Sequence, residues 1–196
     1  NPVAKKGIID PKAEYIITVG WPDNNPDDVD TYVEDPVGNL VWYHGREAGL
    51  MHLDRDDRGN YRDTIVVDGI AIANPLNQET VSVRGIVAGE YVVNIFHYSA
   101  TTNDPVPVSV RIEKLNPVVT VLYYETINLS RTGQEETVAR FVIDEQGDVR
   151  DVNTRDKSLV KLSRKGPTEP QSAAPITDTL MPDGKTTQSR GVILDP

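Results

Sequence analysis

The chain has 196 residues, a formal net charge of −10 (30 Asp and Glu against 20 Lys and Arg), 14 Gly, 14 Pro and no cysteine. The acidic balance argues against a nucleic-acid surface, which needs clustered Lys and Arg. The missing cysteines exclude disulfides, thiolate metal sites and a cysteine nucleophile, and no run approaches the ~20 apolar residues of a membrane-spanning helix.

Residues 1–13 are polar, carry two prolines and predict an extended N-terminal segment. The first residue is Asn, so an upstream signal sequence, membrane anchor or propeptide is expected to have been removed, and membrane contact is expected only through such an anchor. A β-sandwich domain is predicted over 14–162. Tyr15 to Val19 is its first strand, and Trp21 to Pro26 a turn-rich loop. Asp30 to Glu34 and Leu40 to Tyr43 form a hairpin around Asp35-Pro36-Val37-Gly38, with Asp at i, Pro at i+1 and Gly at i+3 of a type I turn. Leu50 to Leu53 is a short strand. Thr64 to Ile72 folds back at Asp68-Gly69, which supplies the positive φ angles of a type I′ turn.

Glu79 to Arg84 alternates, with Val81 and Val83 on one face, and Tyr91 to Tyr98 is apolar enough for a central strand. In Pro105 to Leu115, Val106, Val108, Val110 and Ile112 point inward, while Pro107, lacking an N–H, places the start of that strand at a sheet edge. Pro117 to Leu129, Thr137 to Ile143 and Asp148 to Asn153 make a C-terminal β meander. The fold class is therefore all-β, an antiparallel jelly-roll-like sandwich. Its expected core comprises Ile17, Val33, Val41, Ile65, Val83, Val93, Ile95, Val110, Val121 and Phe141. Residues 163–196 are rich in Pro, Ser and Thr and predict an extended, non-globular tail. Its few apolar anchors (Ile176, Leu180, Met181, Val192, Ile193 and Leu194) suit docking on other protein subunits of an assembly, or on the domain's own edge strand.

Asp28-Val29-Asp30, Asp35-Pro36-Val37-Gly38, Leu53-Asp54-Arg55-Asp56-Asp57 and Ala88-Gly89-Glu90-Tyr91-Val92-Val93, in this order, resemble the bacterial YfaP-like domain. More loosely they are similar to the pre-peptidase C-terminal β-sandwiches of secreted enzymes. The resemblance spans about Tyr15 to Leu115. It implies a β-sandwich and an accessory, non-catalytic role at the bacterial envelope or exterior.

Asp28, Asp30, Asp54, Asp56 and Asp57 are the candidate metal ligands if the hairpin entry and the loop after Leu53 are neighbours. An excess of hard oxygen ligands suits calcium, which takes 6–8 of them. An EF-hand register fails, because Arg58 and Ile65 stand where ligands belong. The competing reading pairs these carboxylates with Arg46, Arg55, Arg58 and Arg62. His44, His52 and His97 lack metalloprotease spacing and no serine elbow is present. Structural or surface roles are expected for them. Trp21, Trp42, Tyr43, Tyr61 and Tyr98 are candidates for a sugar platform, with core and rim packing the simpler expectation.

These features predict a non-enzymatic structural or binding subunit of a larger envelope, cell-surface or virion assembly, extracytoplasmic or in the virion, with carbohydrate a candidate ligand. One alternative is a phage accessory protein, a capsid decoration or tail component. An alternative of another class is a carbohydrate-active hydrolase working through paired carboxylates.

Overall fold

A strand whose residues alternate apolar and polar has one dry face, and two such sheets bury those faces against each other. The computed structural model describes residues 13–23, 25–59, 64–73 and 76–164, and within them this is the architecture. In chain order the strands are β1 (Tyr15–Trp21), β2 (Asp28–Glu34), β3 (Leu40–Val41), β4 (Glu47–Ala48), β5 (Met51–Leu53), β6 (Thr64–Val67) and β7 (Ile70–Ala73). Then come β8 (Asn77–Val83), β9 (Gly89–Ser99), β10 (Val106–Lys114), β11 (Thr120–Leu129), β12 (Glu135–Ile143) and β13 (Val149–Asn153), followed by one helical turn, α1 (Val160–Ser163).

A six-stranded sheet runs β11-β10-β1-β8-β5-β4 and a five-stranded one β13-β12-β9-β2-β3, all neighbours antiparallel. The first sheet contributes Ile17, Val19, Val81, Val83, Val110 and Ile112 to the core, and the second Val29, Val33, Val93, Ile95, Phe141 and Ile143. Tyr91 and Phe141 stack within it, ring centroids 5.3 Å apart.

Both sequence-coded turns are present. Asp35 accepts the N–H of Gly38 on its carbonyl, and its carboxylate accepts those of Val37 (3.0 Å) and Asn39 (2.8 Å), fixing the β2–β3 hairpin. Asp68 (φ 51°) and Gly69 (φ 81°) turn the β6–β7 ribbon. This pair stands apart from both sheets and leaves Val66 71% and Ile70 66% exposed.

One expectation needs correction. Val121 is 54% exposed rather than buried. The β10–β11 register shifts between Ile112 and Glu113, so Ile112 faces Tyr123 but Glu113 faces Val121. The extra residue, Leu122, moves Val121 to the solvent side, since a one-residue slip reverses every side chain beyond it. Pro107 does lie at an open edge at the start of β10, although β10 as a whole runs between β1 and β11: pairing with β1 stops at Ser109, which leaves Pro107 with a neighbour on the β11 side only.

After β13 the chain returns across the outer face of the five-stranded sheet. Leu159 and Val160 pack there on Tyr32 and Val92, with Leu40, Trp42, Tyr43 and Phe96 around them. Glu135 holds the crossing by accepting the N–H groups of Leu159 (2.7 Å) and Val160 (3.0 Å) and the hydroxyl of Ser158 (2.6 Å). The N-terminal segment up to residue 12, the tail from residue 165 onward and the side chain of Ile65 lie outside the described residues.

Candidate functional site

Strand β2 places its carboxylates by alternation. Val29, Thr31 and Val33 point inward, so Asp28, Asp30 and Tyr32 share the outer face. Strand β9 brings Phe96 opposite Asp30, with Tyr98 on the same face two residues on. The connector after β3 makes a tight tip, with reciprocal backbone bonds between Trp42 and Gly45 (3.0 and 3.1 Å) and Tyr43-His44 at its apex. Asp56 and Arg58 come from the segment after β5. Together Asp28, Asp30, Asp56, Arg58, Tyr43, His44 and Tyr98 line a cleft of about 360 Å³.

Glu79 on β8, from the opposite sheet, joins two of these carboxylates without itself lining the cleft. Strand β3 pairs only with Val33 and Glu34 of β2, so the β2 edge at Thr31 is open. Glu79, fully buried, fills that gap. Its Oε2 accepts the Thr31 N–H at 2.8 Å and its Oε1 the Asp57 N–H at 3.1 Å. Asp30, Asp56 and Glu79 then place one carboxylate oxygen each within 4.8 Å of one another.

Burial makes this costly. Asp30 is 2% exposed, its Oδ2 has no hydrogen-bond partner, and neither has the buried Oδ1 of Asp28. Loss of hydration, followed by repulsion from Asp56, pushes the Asp28 carboxyl up to about 7 from 3.8, against the pull of Arg58. Loss of hydration and then Asp28 push Asp30 up to about 8. Glu79 is raised well above its ordinary value, again by burial first and then by Asp30, although its backbone hydrogen bonds oppose the shift. Ordinary proteins pair or hydrogen-bond such groups. Here both residues line a polar cleft while the orphaned oxygens themselves are buried, an arrangement suited to receiving a cation.

The five sequence candidates separate into two sets. Asp28, Asp30 and Asp56 converge on the cleft, with Asp56 also paired to Arg58 (Nε–Oδ2 2.7 Å). Asp54 and Asp57 do not line it. The Asp54 carboxylate accepts the N–H groups of Arg55 (2.7 Å) and Thr80 (3.0 Å), and its carbonyl accepts from Arg46. Asp57 is buried against Arg55 and accepts the N–H groups of Gln78 (3.0 Å) and Gly59 (3.1 Å). The arginine-pairing reading thus describes Asp57 and one side of Asp56, and leaves Asp28 and Asp30 without such a partner; Arg62 lies outside the described residues.

Sequence reasoning missed Glu79. The signal was present, since Glu79 is in phase with Val81 and Val83, and an inward carboxylate on a core strand demands a partner or an ion. Of the histidines, His44 lines the cleft, His52 faces Glu47 (3.1 Å), and His97 is buried against Asp27 (3.1 Å). Among the aromatics, Trp21 is core, Trp42, Tyr43 and Tyr98 join Tyr32 and Phe96 in one cluster on the outer face, and Tyr61 lies outside the described residues.

Comparison with known proteins finds no matching family model, no matching curated protein and no matching solved structure.

Proposed function

We propose that the chain is a non-enzymatic binding subunit of a larger envelope, cell-surface or virion assembly, whose cleft holds a divalent cation. Calcium is the ion the donors suit, because all are hard carboxylate oxygens and no nitrogen or sulfur ligand is required. The observation that carries the reading is Asp30, a buried carboxylate with an unpartnered oxygen, converging with Asp56 and Glu79. An ion there supplies the charge compensation that the protein side chains leave incomplete. The resemblance to YfaP-like accessory domains supports the extracytoplasmic placement and the non-catalytic role. Docking of the 163–196 tail on neighbouring subunits remains part of the proposal.

The hydrolase reading asks for two carboxyl groups on either side of a sugar, roughly 5–9.5 Å apart. Three carboxylate oxygens within 4.8 Å are closer to the spacing of ligands around one ion. Thermal unfolding in calcium and in chelator tests the cation. Saturating calcium should raise Tm, with about 2.7 kcal/mol of stabilisation at a hundredfold excess over Kd. No shift in Tm defeats the cation reading, and release of reducing ends from polysaccharides would restore the hydrolase.

A further inference from the structure

Resting on the cation reading above, we infer that the cleft binds a neutral saccharide. Its hydroxyl oxygens complete the coordination of the calcium ion while its ring lies against Tyr98 and Tyr43. The size of the cavity is the first support. About 360 Å³ is far more room than one ion fills and falls within the roughly 300–1,000 Å³ of small-molecule sites.

Coordination is the second support. Calcium takes 6–8 oxygens, whereas the converging side chains offer one each from Asp30, Asp56 and Glu79, with Asp28 beside them. Both Glu79 oxygens already accept backbone N–H groups, which limits what that residue adds. Counted singly, these side-chain oxygens fall short of the 6–8 that a calcium ion takes. Vicinal hydroxyls are neutral donors at the spacing a single calcium ion can chelate.

Charge selects among the ligands that could supply those oxygens. Among the described residues, four carboxylates, ionised once calcium displaces their protons, against one calcium ion and Arg58 leave the site one negative charge in excess, in a chain of net charge −10. A phosphate, sulfate, uronate or acidic peptide would add like charge to a poorly hydrated site. A neutral sugar adds none. The walls fit the same ligand. Tyr98 is 49% exposed at the rim, and Tyr43 lies edge-on to it with centroids 5.8 Å apart, so apolar ring surface shares the cleft with Asp28, Asp30 and Asp56. The C–H face of a pyranose packs on such rings while its hydroxyls reach the ion.

Two measurements separate this inference from the reading beneath it. Metal-free protein is titrated with CaCl₂ alone by calorimetry. The calcium-loaded protein is then run through affinity gels containing mannan, β-glucan, xylan, galactan or starch, and through a heparin gel. We expect a one-to-one calcium isotherm, retardation by at least one neutral gel, and loss of that retardation in EDTA. Tyr98→Ala should weaken retardation roughly tenfold and leave the calcium isotherm unchanged, since the ring lies at the rim and outside the coordination set. Calcium binding with no retardation by any neutral gel overturns the saccharide inference alone. Retardation by heparin only overturns the charge argument, and retardation indifferent to EDTA or to Tyr98→Ala places the sugar elsewhere and overturns it too. Absence of a calcium isotherm defeats the cation reading, and the inference falls with it.

Discussion

Asp30→Asn separates the cost of burying this carboxylate from its proposed role as a cation ligand. The substitution keeps shape and removes charge. Metal-free, Asp30 titrates at about 8 in the folded chain and near 3.8 when unfolded. Its folded form therefore holds a proton that the unfolded chain releases between these values, and stability falls as pH rises through that window. At pH 7 the deficit relative to low pH is on the order of 4 kcal/mol, at about 1.4 kcal/mol per pH unit above 3.8. An asparagine never ionises, and its amide can donate to the Asp28 or Asp56 carboxylates. Recovering half the deficit, about 2 kcal/mol, raises Tm by roughly 4–8 °C for a domain of this size. In calcium the order reverses, because the variant loses a ligand and most of the ion-dependent gain. Differential scanning calorimetry at pH 7, with EDTA and with millimolar calcium, reads both effects. A variant that is destabilised in EDTA and keeps the full calcium shift would refute the reasoning.

Metal-free protein should become less stable from pH 5 to pH 8, because the Asp28 and Asp30 carboxyls, raised to about 7 and about 8, bind protons in the folded state across this range. The Tm shift caused by calcium should grow over the same range, as the ion competes with those protons; a shift independent of pH contradicts the assignment. Gly59→Ala meets a positive φ of 58° and puts a Cβ 2.5 Å from the Asp27 carbonyl oxygen, so the loop carrying Asp56 must move. We expect roughly 2 kcal/mol or more of destabilisation by denaturant unfolding, with weaker calcium binding. Asp57→Ala leaves the N–H groups of Gly59 and Gln78 without their acceptor and Arg55 without its buried partner, which should cost roughly 2–4 kcal/mol. Unchanged urea midpoints in these two variants would show that the loop is not held as described.

The sandwich was legible because its signals are local. Strict alternation in Val106 to Ile112, the Asp35 turn and the Asp68-Gly69 turn each decide strand phase or chain reversal within a few residues. Val121 was misplaced because the bulge at Leu122 reverses the phase of β11 inside the continuous apolar run Val121-Leu122-Tyr123, where no alternation reveals the change. The site was half legible for a similar reason. Asp28 and Asp30 share a face by the period of β2, and Asp56 follows a short strand, so their type and approximate grouping could be read. Their convergence depends on which strand leaves the β2 edge open, and that is a property of β3 being two residues long. Asp54 and Asp57 belong to the same acidic run as Asp56, yet backbone donors on β8 take up their oxygens. Composition cannot distinguish a carboxylate that caps a strand from one whose buried oxygen has no hydrogen-bond partner.

Terbium luminescence tests the cation cleft most directly, because Tyr43 and Tyr98 line it and can transfer excitation to an ion held beside Asp30. Terbium is a hard, oxygen-seeking ion that enters calcium sites. Excitation of tyrosine in the metal-free protein should give terbium emission that saturates at one ion per chain, is displaced by excess calcium, and is largely lost in Asp30→Asn. Absence of sensitised emission, or emission that survives both Asp30→Asn and excess calcium, would contradict a cation site in this cleft.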